Sequence, residues 1–211
     1  MSRQRSPRPG EKRVLVASTG SIATPELPAY LAAMRGRIGG AYTVLMTHSA
    51  TMFLPPETVA LFAERVVSGE SPSHWPTEKP SRLVADHDIL VVLPATANTL
   101  AIAATGAAPN RLGTVILAAD FPVVLFPVMG ASMWHKPAVQ RNVAQLREDG
   151  HHVPEPVWHA GFDPVMGRGA PHPSLPEPER VAEIVEGLLT SPNGAPTGSP
   201  ARAGADRGGM A

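Results

Sequence analysis

Short apolar runs that stop abruptly at small polar residues recur along this chain, and they constrain its fold more than any other feature. RVLVAS (Arg13 to Ser18), YTVLMT (Tyr42 to Thr47), DILVVL (Asp88 to Leu93), GTVILA (Gly113 to Ala118) and VVLF (Val123 to Phe126) have the length and β-branched content of buried strands. DILVVL shows no polar alternation, so both of its faces must be covered. Helical spacing fills the intervals from Pro25 to Gly36, from Thr51 to Val67 and from Asn98 to Gly106. Pro137 to Asp149 forms another helix, with Gly150 at its C-terminal end, and Glu177 to Leu189 an amphipathic last one. His151 to Val153 is a possible sixth strand. Strands alternating with helices predict an α/β fold: a single Rossmann-like (flavodoxin-like) parallel sheet with helices on both faces.

The domain is expected over residues 13–190. Residues 1–12, basic and proline-containing, read as a disordered arm, and 191–211, rich in Gly, Ala, Pro and Ser, as a disordered tail. SGESPSHWPTEKP (68–80) reads as a loop. The proline- and glycine-rich stretch from Pro154 to Pro178 reads as a flap, too long for a mere connector.

Lys and Arg total 18 and Asp and Glu total 18, so no net field favours nucleic acid or an anionic membrane, and neither is expected as a partner. No apolar run approaches the roughly 18 residues of a bilayer span, and the basic N-terminus lacks a following apolar segment. A cytoplasmic location is the resulting expectation. Cysteine is absent, which excludes disulfides, thiolate metal sites and a cysteine nucleophile. The histidines show no metal-ligand spacing, and no metal is expected.

In parallel α/β sheets ligands bind beyond the C-terminal strand ends. Here those ends read Ser18-Thr19-Gly20-Ser21, Thr47-His48-Ser49, Pro94-Ala95-Thr96-Ala97-Asn98-Thr99 and Pro127-Val128-Met129-Gly130-Ala131-Ser132-Met133-Trp134. Hydroxyls and a glycine before a helix suit a phosphate, and they equally suit a helix cap. Small side chains around Asn98 let a flat ligand approach the backbone, while its amide offers both donor and acceptor to a ligand, or caps the next helix, or does both. The methionines and Trp134 read either as core or as an adaptable apolar wall. Taken together, the four ends point to a flat, phosphorylated cofactor. His74, in the loop between Ser73 and Trp75, is a candidate base or an exposed loop histidine.

On these residues the chain resembles the homo-oligomeric flavin-containing cysteine decarboxylases, closest to the lantibiotic peptidyl-cysteine decarboxylases. Pro94-Ala95-Thr96-Ala97-Asn98-Thr99 resembles the family motif PASANT, and Pro127 to Trp134 resembles PxMNxxMW. Ser18-Thr19-Gly20-Ser21-Ile22 is similar to the first flavin loop. The resemblance implies a flavin, FMN or FAD, held by Thr19, Gly20, Ser21, Ile22, Thr47, Ser49, Phe53, Ala95, Thr96, Asn98 and Ala119. It implies His74 as the catalytic histidine, and substrate contacts at Asn98, Met129, Gly130, Met133, Trp134 and Arg168. It further implies a homo-oligomer, trimer or dodecamer, acting on a precursor peptide.

Gly130 stands where the family carries an asparagine thought to hold the substrate carboxylate. The lack of cysteine sets the chain apart from the coenzyme A branch, whose members use a C-terminal cysteine to reduce the enethiol product. The implied reaction is therefore oxidation of a C-terminal cysteine to a thioaldehyde, then loss of CO2 with sulfur as electron sink, leaving an aminoenethiol. The alternatives are a phosphopantothenoylcysteine decarboxylase-like or flavin prenyltransferase-like enzyme, or a non-catalytic flavin-binding regulatory subunit.

Overall fold

The computed structural model describes residues 10–69, 78–163 and 167–191. Five parallel strands form the central sheet: β1 (Arg13–Ser18), β2 (Ala41–Met46), β3 (Arg65–Ser68), β4 (Ile89–Ala95) and β5 (Val123–Pro127). Their order is β3-β2-β1-β4-β5, the doubly wound arrangement in which the chain reverses direction across the sheet between β1 and β4. Val14 pairs with Tyr42 on one side and with Ile89 on the other, so β1 sits at the centre.

The alternation of side chains along each strand divides the core in two. Val14 and Val16 of β1 join Ile89, Val91 and Leu93 of β4 on one face. There they pack against Leu27, Leu31 and Met34 of α1 (Leu27–Ile38) and Val181 and Val185 of the last helix, α9 (Pro178–Thr190). Leu15 and Ala17 face the other way with Leu90 and Val92. That face is covered by α4 (Pro80–Ala85), α5 (Ala97–Ala104), α6 (Arg111–Ala118) and α8 (Pro137–Glu148). The expected α/β class, a parallel sheet with helices on both faces, is what the chain adopts.

Three elements differ from expectation. GTVILA is not a strand but helix α6. Asn110 caps it, and Leu112, Val115 and Ile116 turn one helical face to the sheet while Leu117 is exposed. A short apolar run cannot announce its own period, and here the crossover between parallel neighbours β4 and β5 requires helix. The helix expected from Thr51 to Val67 is instead α2 (His48–Thr51), α3 (Pro56–Val59) and edge strand β3. Pro55 and Pro56 break it, since the residue before a proline is pushed to extended backbone, as Pro55 is (ψ 137°). His151 to Val153 contributes a single parallel bridge, His152 to Val124, at the edge of β5.

The stretch after Pro154 holds an antiparallel hairpin, β6 (Val157–Asp163) with β7 (Arg168–Ser174). Residues 68–80 were expected to be loop; Ser68 closes β3, Pro80 opens α4, and 70–77 lie outside the described residues. So do 1–9 and 192–211, while Lys12 already accepts a hydrogen bond from Ala41 N–H at 2.9 Å. Among the described residues no helix is long and apolar enough to cross a membrane.

Candidate functional site

A cleft of about 460 Å³ opens at the C-terminal strand ends, beside the neighbouring strands β1 and β4. Thr19 fastens this point. Its buried hydroxyl donates to Pro94 O at 2.8 Å and accepts from Thr96 N–H at 3.3 Å, joining the two strand ends. Thr47 does the same one strand over: its hydroxyl donates to Ser18 O and accepts from Ala50 N–H, both at 3.3 Å, capping α2. These two hydroxyls line the cleft, but their protons are already given to the scaffold.

Gly20 and Ser49 meet on the same side. A Cβ at Gly20 would collide with the Ser49 side chain and come within 3.1 Å of its carbonyl carbon, so only glycine allows this approach. The first loop does not run directly into a helix. Ser21 N–H is taken by Thr24 Oγ1 at 3.2 Å, a short 3-10 turn (Thr24–Glu26) intervenes, and α1 begins at Leu27. Ser21 and Ser49 both line this end of the cleft, and Ser21 Oγ accepts from Ala23 N–H at 3.3 Å.

The opposite wall comes from α5 and α6. Thr96 caps α5, accepting from Thr99 N–H at 3.4 Å, and its hydroxyl lies 3.0 Å from that of Thr99. This leaves Asn98 exposed on the first turn, at the cleft rim. Asn110 caps α6 through Oδ1, which accepts from Gly113 N–H at 2.9 Å, and also lines the cleft. Gly113 packs α6 tightly: a Cβ there would lie 2.9 Å from Ala107 O. Ile102, Ile116, Met129 and Met133 supply apolar wall, with Met133 half-exposed. Among the described residues no charged side chain lines the cleft.

The cleft thus assembles Thr19, Gly20, Ser21, Thr47, Ser49, Thr96, Asn98, Met129 and Met133 from the sequence-predicted set. It does not assemble the others within one chain. Ile22 is 86 % exposed and Phe53 46 % exposed, both outside it. Ala95 is fully buried in β4. Ala119 borders a separate hollow of about 250 Å³ with Asp149 and His151, where burial holds the His151 imidazole below its ordinary pKa. Trp134 is 4 % exposed and packs in the core beneath, with its carbonyl bound by Gln140 Nε2 at 2.6 Å. Gly130 sits in extended backbone ahead of the short helix α7 (Ala131–Trp134), and nothing lies within 4 Å of where its Cβ would be. Arg168 starts β7 at the far end of the hairpin, whose other end is fixed by Trp158 stacked on His135, centroids 5.3 Å apart. His74 lies outside the described residues.

Asn110 was missed by sequence reasoning. Its signal was present: an asparagine three residues before a glycine, opening an apolar run. Reading that run as a strand hid it. Its neighbour Arg111 pairs with Glu78 at 3.2 Å, with side chains only 8 % and 16 % exposed, and so ties the chain just after residue 77 to α6.

The family model described as "Flavoprotein" matches residues 2–176. The chain belongs to the flavoprotein family. It is 34 % identical over 178 residues to mersacidin decarboxylase of Bacillus sp. (strain HIL-Y85/54728), covering 83 % of this chain and 90 % of that one. Among solved structures it is similar to a complex of an EpiD variant with substrate peptide DSYTC, at 26 % identity and TM-score 0.74, over 83 % of this chain and 99 % of that one. It is also similar to SpaF, an FMN-dependent cysteine decarboxylase, at 34 % identity and TM-score 0.67, over 85 % and 98 % respectively.

The cleft fits a flavin on its own evidence. Gly20 lets the first loop pack directly on Ser49, which brings Ser21 and Ser49 to one end of the cleft; the lining polar groups among the described residues are neutral hydroxyls and amides, and the apolar wall suits a ring.

Proposed function

We propose that this flavoprotein is a flavin-dependent peptidyl-cysteine decarboxylase, converting the C-terminal cysteine of a ribosomally made precursor peptide into an aminoenethiol. One observation carries the reading: a small-residue cleft at the β1/β4 switch point, lined by no charged side chain among the described residues, in a chain one-third identical along most of its length to mersacidin decarboxylase.

A bound flavin supplies the two-electron oxidation. The protein supplies placement. Ser21 and Ser49 offer hydroxyls to a phosphate beside Gly20. Thr96, Ala97 and Thr99 keep the β4 end low enough for a ring to lie against it, and Asn98 offers its amide to the ring edge or the substrate. Met129, Met133 and Ile102 exclude water from that side. His74 takes the thiol proton as general base. The absence of cysteine supports an unreduced enethiol product, and so favours a peptide over the coenzyme A pathway substrate. Exposed Ile22, Met52 and Phe53, adjoining the first two strand ends, support a homo-oligomer in which a neighbouring copy covers the site.

The test is mass analysis of a cysteine-ended peptide incubated with the flavin-loaded protein. Loss of CO2 together with two hydrogens is expected. A protein that stays yellow and leaves every such peptide unchanged is a flavin-binding regulatory subunit instead. His74→Asn is expected to keep the flavin and lose turnover.

A further inference from the structure

Asn110 carries an unspent donor. Its Oδ1 is committed to Gly113 N–H at 2.9 Å, and its backbone carbonyl accepts from Thr114 N–H and Thr114 Oγ1, both at 3.1 Å. That fixes the orientation of the side-chain amide: the acceptor oxygen faces α6, so the remaining atom is the NH2 group. Among the described residues this NH2 has no hydrogen-bond partner, although Asn110 is half-buried and lines the cleft. A donor held in one orientation, on a residue that lines the cleft, is available to a ligand acceptor.

The chemistry of the cleft narrows that acceptor. No Lys, Arg or His lines it among the described residues, so the donors these residues offer an anionic group are neutral. Thr19 and Thr47 have given their protons to Pro94 O and Ser18 O, and Ser21 and Ser49 line the cleft from the loop after β1 and from α2. Between Met129 and Met133, which share the cleft with Asn110, Gly130 presents no side chain at all. The positive end of the α6 dipole lies at Asn110 as well.

Resting on the peptide-decarboxylase reading, we propose that Asn110 Nδ2 donates a hydrogen bond to the α-carboxylate of the peptide's terminal cysteine. Asn110 is thus a specificity-determining residue, its amide serving from the cap of α6 where the end of β5 offers none.

Capping and ligand binding are separable, because serine and aspartate retain the cap oxygen but lack the NH2. The experiment measures equilibrium binding of DSYTC and of its C-terminal carboxamide to flavin-loaded protein in a His74→Asn background. The parent is expected to prefer the acid. Asn110→Ser is expected to weaken binding of the acid roughly tenfold, with carboxamide binding, flavin retention and Tm nearly unchanged. Asn110→Asp, which adds a like charge, is expected to weaken the acid further. Gly130→Asn, placed in open space, is expected to restore acid preference to Asn110→Ser. Equal effects of Asn110→Ser on acid and carboxamide, no effect on either, or loss of flavin in place of peptide binding would each overturn the assignment. A parent that retains flavin but binds neither peptide removes the peptide reading itself, and this assignment with it.

Discussion

The two sides of the cleft are built on different principles. On the β1/β2 side, backbone is packed against backbone, with Gly20 against Ser49, and the threonine hydroxyls are consumed in joining strand ends. On the β4/β5 side, the surface is made by helix caps, amides and thioethers, and Met133 is half-exposed. The first side is fixed in shape and suited to a compact anion that never changes. The second offers adaptable contacts, suited to a ring and to a substrate that must enter and leave.

The largest effect that would test this contrast lies behind the adaptable side. The Arg111–Glu78 pair is nearly buried, so Glu78→Ala strands a guanidinium whose second amino nitrogen already lacks a partner among the described residues. A loss of about 3 kcal/mol is expected in urea unfolding, with α6 and its cap weakened. A loss below about 1 kcal/mol would class the pair as an ordinary surface one.

Next comes a direct comparison of two glycines. Gly20→Ala forces a methyl group into Ser49 and is expected to cost about 1–3 kcal/mol by overpacking, with protein purifying poorer in flavin. Gly130→Asn meets nothing and is expected to stay within about 0.5 kcal/mol of the parent. Similar flavin loss in both variants would erase the distinction between a rigid and an adaptable side.

The smallest effect concerns pH and lies away from the cleft, just before β4. Burial is the main cause that lowers the His87 pKa, although its Nδ1–H donates to Leu83 O at 2.7 Å. The folded protein therefore binds this proton less readily than the unfolded chain, and stability falls as pH drops below about 6.5. His151 and His152, also lowered mainly by burial, act in the same direction. His87→Gln is expected to flatten part of the decline in urea midpoint between about pH 7 and pH 5. An unchanged slope would place the pH sensitivity in the other two histidines.

Much of the architecture was legible from the chain. β1, β2, β4, β5 and helices α8 and α9 fall within a residue or two of their expected positions, because long apolar periods and proline or glycine punctuation are local signals. From them followed the parallel sheet, and from the sheet the place of the site, since ligand loops must leave the C-terminal strand ends. Tertiary structure decided what local pattern could not. GTVILA became a helix because its neighbours needed a crossover, and Arg65–Ser68 became an edge strand because β2 offered it an unpaired side. Trp134 went to the core although its sequence neighbour Met133 faces the cleft, a choice set by the direction of one short helix. Residue identity thus determined which groups gather at the strand ends. Which of their atoms remain free for a ligand was decided only by the three-dimensional hydrogen-bond network, in which Thr19 and Thr47 spend their protons and Asn110 keeps its own.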